Sequence, residues 1–149
     1  MKQKNTKRSA PSTRNTNAAV LEASNKKLIE EHIPYEADML NGTYELLQSG
    51  VKDRVTRNAI IESYCIHCRA LIDFMKNKGE VRASLFTDNF DSKEVCKGKN
   101  YNMLISDQIA HLSHRRTSNP EEKLGPELWL DMYEDITLHL QDFISKIRE

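Results

Sequence analysis

A chain of 149 residues has the length of one ordinary domain, which can bury roughly 70% of its unfolded surface without help from disulfides. Its net charge is zero, with 38% hydrophobic and 30% charged residues, a slightly polar balance for a globular helical protein. No apolar run approaches membrane-spanning length and no secretory apolar stretch stands at the N-terminus, so membrane and exported classes are excluded and a cytoplasmic protein is expected.

The charge is unevenly spread. The first 21 residues carry Lys2, Lys4, Lys7, Arg8 and Arg14 with no acid, which leaves the rest of the chain acidic by five. From Met1 to about Ser24 the composition is Lys, Asn, Thr, Ser and Pro, with too little apolar surface to offset the entropy of ordering. Residues 1–24 are therefore predicted to be a disordered basic tail, and 25–149 a single helical domain.

The first ordered stretch runs from Asn25 to Gln48, with Pro34 in the first turn of its main helix. Tyr35, Met39, Thr43 and Leu46 are predicted to line one side, with Leu40 and Leu47 beside them, and Gly50 ends it. The second helix, Asp53 to about Lys78, carries two apolar stripes. Ile61, Cys65, Cys68, Ile72 and Met75 form one, and Ile60, Tyr64, His67, Leu71 and Phe74 form the other, about 100° round the helix. Two stripes predict packing on two sides. Arg69 and Asp73, four apart on the polar face, are expected to pair, and Gly79 to stop the helix.

Ser84–Phe90 reads as a loop that tucks Leu85, Phe86 and Phe90 inward. A third helix is predicted from Asn100 to about Thr117 on Tyr101, Ile105, Ile109 and Leu112, and Asn119–Pro120 breaks the chain after it. Pro126 opens the last helix, in which Trp129, Tyr133, Ile136, Leu140, Phe143 and Ile147 keep a four-and-three spacing. Four helices with short joins predict an all-α, up-and-down four-helix bundle.

Chemistry concentrates on the third helix. Asp107, His111 and His114 share one face, and Gln108, His111 and Arg115 the next. Asp107 is placed to hold the His111 imidazole in one tautomer, while Arg115 and Arg116 suit forked hydrogen bonds to phosphate. A bland reading competes at even weight, since basic residues gather at a helix C-terminus for its dipole. His67 lies on an apolar stripe, where a buried imidazole bonded to a neighbour is the commoner outcome. If the second and third helices pack together, His67 approaches His111 and Arg69 the rim of the same groove.

Cys65 and Cys68 (CIHC), like His111 and His114, are one turn apart, a spacing that suits zinc. Both cysteines fall on the core stripe, however, and the Glu-x-x-His pair of bundle metal sites is missing. No metal and no cofactor is expected. The three cysteines, an odd number, read as reduced and inert in apolar surroundings.

The segments RNAIIESYCIHCRALIDFM (57–75) and ISDQIAHLSHRR (105–116) resemble the two signature helices of a bacterial helical-bundle family related to HEPN domains. EHIPYEADML (31–40) and the Trp129 helix fall where that family has its outer helices. The resemblance implies a HEPN-like bundle, often a homodimer, from toxin or defence systems in which many members cleave RNA without metal. Active members carry an arginine followed four to six residues later by a histidine. Here the order is reversed, with His111 ahead of Arg115 and Arg116. What transfers is the cluster: His111 and Arg115 as catalytic candidates, with Arg116, His114, His67, Arg69 and Asp107 as binding residues for RNA or a nucleotide. The rival expectation is a non-catalytic module that binds a partner protein.

Overall fold

A computed structural model describes residues 13–110 and 124–147, apart from the side chains of 13–17 and 110. Among the described residues there are helices and no strand, so the all-α expectation holds. None of these helices is long and apolar enough to cross a membrane.

The chain divides after Pro34 into two compact units, ten residues beyond the boundary that composition predicts. In the first unit, a helix α1 (Thr13–Lys27) and a π-helical turn (Leu28–His32) stand where the tail was expected to extend to Ser24. Local forces contribute to such a helix. Ala18, Ala19, Leu21, Glu22 and Ala23 are strong helix formers, and Lys26–Glu30 and Lys27–Glu31 pair four residues apart at 3.8 and 3.7 Å. Every residue from Ala18 to Ser24 is exposed, which is why a burial argument does not find the helix. The π-helical turn comes just before Pro34, which has no N–H to continue an ordinary helical ladder.

The second unit holds α2 from Tyr35 to its end at Gln48 (Ile33–Gln48), α3 (Arg54–Met75), α4 (Tyr101–Ile105), a π-helical turn (Ser106–Ala110) and α5 (Pro126–Lys146). α2 buries Leu40, Thr43 and Leu47, whereas Tyr35 and Leu46 are exposed. The stripe is thus rotated from the expected one. Thr43 tolerates burial because its hydroxyl donates to the carbonyls of Met39 (2.6 Å) and Leu40 (3.2 Å).

α3 begins at Asp53, whose carboxylate accepts from the Thr56 backbone N–H (2.8 Å) and hydroxyl (2.6 Å), an N-cap that satisfies an otherwise orphaned donor. From Tyr64 onward both apolar stripes are buried, and before it Ile60 and Ile61 are only half-buried. The helix stops earlier than Gly79. Asn77 takes the left-handed conformation (φ 57°), the Lys78 N–H reaches the Asp73 carbonyl (2.8 Å) and the Asn77 N–H the Phe74 carbonyl (3.2 Å). Those two bonds make a Schellman ending, and asparagine is the usual substitute for glycine there.

α3 packs on both α5 and α4. Tyr64 donates its hydroxyl to the Trp129 carbonyl at 2.7 Å, and Tyr44 of α2 stacks on Tyr133 of α5 with ring centroids 4.1 Å apart. Tyr133 in turn donates to Asn41 (2.9 Å). Phe74, Phe86 and Phe90 surround Phe143 edge-on, which fastens the 80–100 loop to α5. Leu85, expected to tuck in with them, is exposed; it ends a single 3-10 turn (Ala83–Leu85) whose Ala83 points inward instead.

Candidate functional site

α3 and α4 meet along a polar seam. Arg69 Nε lies 3.7 Å from Asp73 Oδ2 on its own helix, the pair expected from the four-residue spacing, and Arg69 Nη1 donates to Ser106 Oγ at 3.1 Å. Asp73 Oδ1 accepts from Asn102 Nδ2 at 2.6 Å. This orients the amide so that Asn102 Oδ1 is buried without a partner among the described residues. Arg69 is thereby fixed beside the turn that carries Asp107, which is half-buried. His111, His114, Arg115 and Arg116 lie outside the described residues, and with them the expected approach of His67 to His111.

His67 leaves α3 in another direction from Arg69, since two helical positions are about 200° apart. It is 8% exposed. Its Nδ1 carries a proton to Glu36 Oε2 on α2 at 2.7 Å, and Tyr35 stands edge-on to its ring at 6.0 Å. Because the carboxylate can only accept, this partner selects the Nδ1–H form. The structure brings Arg69 to the α4 side, and His67 to the α2 side.

Cys65, Cys68 and Cys96 are all free and buried. Burial pushes the Cys65 and Cys96 thiols up to about 12 and raises Cys68 as well, which leaves them protonated and unreactive at neutral pH. Among the described residues no three His, Cys, Asp or Glu side chains converge as metal ligands.

A second polar group has no signature in the sequence. Asp131 on α5 accepts from Lys99 Nζ and from the Tyr101 hydroxyl, each at 2.5 Å, and Lys99 also lies 5.5 Å from the Tyr101 ring centroid. The three residues come from segments about thirty positions apart, and no periodicity links them. The hydrogen bond from Lys99, then that from Tyr101, holds the Asp131 carboxyl below its ordinary range. A depressed native value contributes stability that is present above the unfolded-state pKa of ~4 and is lost as pH falls through the native value. Asp131→Asn should therefore lower the melting temperature at neutral pH, and the gap from wild type should narrow as pH falls below the unfolded-state value of ~4. Thermal melts of both proteins across that range check it, and an undiminished gap in acid would show that the carboxylate charge is not what matters.

No protein-family model, curated protein or solved structure matches the chain.

Proposed function

We propose that this is a HEPN-like domain, an up-and-down four-helix bundle that binds RNA or a nucleotide through His111, Arg115 and Arg116, acting as a homodimer. The observation that supports the reading is the Arg69–Ser106 bond, which fixes an arginine of α3 against the segment leading into the cluster. Arg69, Asp107 and His114 then border the phosphate-binding face, and His67 stands behind α3 as a more distant companion. As a metal-independent endoribonuclease, His111 would take the proton of a ribose 2′-hydroxyl, and Arg115 or Arg116 would neutralise charge developing on the phosphate.

The reading is tested on two variants at once. His111→Ala and Arg115→Ala should weaken the electrophoretic shift of generic RNA about ten-fold or more, as loss of a charge-assisted contact does. Stability should stay within about 0.5 kcal/mol, as for surface changes. Binding by the native protein should also fall steeply with salt. Large destabilisation with unchanged RNA binding would sink the proposal.

One observation favours the other reading, a module for a partner protein. Val55 and Ile66, 71% and 62% exposed, share a stripe along the outer face of α3. Absence of any RNA shift at low salt would leave that reading standing.

A further inference from the structure

Where the end of α2, the following turn and the starts of α3 and α5 converge, the second unit has an open cleft of about 510 Å³. That size lies in the range of small-molecule sites, roughly 300–1,000 Å³. Leu47, Val51, Pro126 and Trp129 supply apolar walls, while Lys52 and Arg57 supply positive charge. Among the described residues no carboxylate lines it, and neither Lys52 nor Arg57 forms an ion pair.

Two further features favour an anion. The Arg57 guanidinium lies over the Trp129 ring, 5.7 Å from its centroid. A cation over a ring face spends no N–H on a hydrogen bond there, so its donors remain for an oxyanion. Finally, α5 starts on Gly125 and Pro126 with no side-chain cap. Its first-turn amides lack intrahelical acceptors, and its dipole is positive at this end.

We propose that this cleft binds a phosphate monoester of a small organic molecule, its phosphate held by Arg57, Lys52 and the start of α5 and its carbon skeleton against Trp129, Leu47 and Val51. Two cations and a helix N-terminus match the double charge of a phosphate better than the single charge of a carboxylate. The site shares no residue with the His/Arg cluster, and goes beyond the RNA reading without depending on it.

Trp129 is the only tryptophan in the chain, so its fluorescence reports on the cleft directly. The full-length protein is titrated with ribose 5-phosphate, inorganic phosphate and neutral ribose, and the same titrations are followed by calorimetry. Saturable binding of ribose 5-phosphate is expected, tighter than inorganic phosphate, with no response to ribose. Arg57→Gln should weaken it about ten-fold or more and Lys52→Gln by a smaller factor, in folded proteins with unchanged circular dichroism. Arg115→Gln should leave it unchanged. The absence of saturation in both readouts below about 10 mM would overturn the proposal. So would binding that survives Arg57→Gln, or binding lost in Arg115→Gln alone, which would move the phosphate to the cluster and leave the RNA reading intact.

Discussion

Phe143→Ala is expected to remove about 3–5 kcal/mol of stability, the range for emptying a buried aromatic site. The ring is fully buried on α5. It receives Phe74 of α3 edge-on at 5.0 Å and 88°, and the loop residues Phe90 and Phe86 at 5.6 and 6.3 Å with similar angles. Edge-to-face pairs add about 0.5–1.5 kcal/mol beyond the area they bury, and one truncation strips that gain from three neighbours. Collapse cannot recover much, because Phe74 is held by the α3 backbone. Total stabilities of domains run to about 5–15 kcal/mol, so the variant should sit near its folding limit. Denaturant unfolding measures the loss as a drop in midpoint at constant slope. The 80–100 loop, fastened through Phe86 and Phe90, should also become more open to proteases. A loss under about 1.5 kcal/mol would show that the loop closes over the vacated space.

Elements that bury a regular stripe were legible in the sequence. α3 and α5 carry apolar residues at steps of four and three; from Tyr64 to Met75 those positions are the buried ones, and on α5 Trp129, Ile136, Leu140 and Phe143 are buried, while Tyr133 is only half-buried and Met132, off the expected stripe, is buried in its place. Elements that depend on local energetics were not. α1 buries nothing between Ala18 and Ser24 and is held by propensity and i,i+4 pairs, to which a hydrophobic pattern is blind. The end of α3 was misplaced for a related reason: Gly79 is the obvious terminator by composition, but Asn77 reaches the left-handed conformation two residues earlier and closes both Schellman bonds. On α2, adjacent stripes differ by one helical step, and only the tertiary partners Tyr64 and Tyr133 decide that Tyr44 turns inward while Tyr35 does not.

The candidate site was legible only where its members share a helix. The four-residue spacing of Arg69 and Asp73 predicts their pairing, whereas the bond from Arg69 to Ser106, 37 positions on, has no counterpart in any pattern. The same holds for the carboxylate of Glu36, which fixes the His67 tautomer from 31 positions away. The Lys52–Arg57–Trp129 cleft is assembled from the ends of three helices, so no single segment hints at it. Residue types announce what chemistry is available, and packing decides which of them meet.

The contrast between two residues of α3 gives the second large effect. Leu71 and Ile61 both lie on apolar stripes, and the sequence treats them alike as core. In the structure Leu71 is 1% exposed, in the half of α3 where both apolar stripes are buried, while Ile61 is only half-buried, in the half of the helix whose first two turns are open to solvent. Leu71→Ala should therefore cost about 2–5 kcal/mol, transfer and cavity together. Ile61→Ala should cost about 1–2 kcal/mol, since a half-exposed side chain has less apolar area to lose and leaves a dent that water fills. Ile61 and Leu71 are ten positions apart, or about 15 Å along the axis, so their losses should add within about 0.5 kcal/mol in the double variant. Denaturant unfolding of the three proteins supplies all of these values. An Ile61→Ala loss equal to that of Leu71→Ala would mean that the N-terminal half of α3 is covered in solution, by a second copy of the chain or by a partner protein.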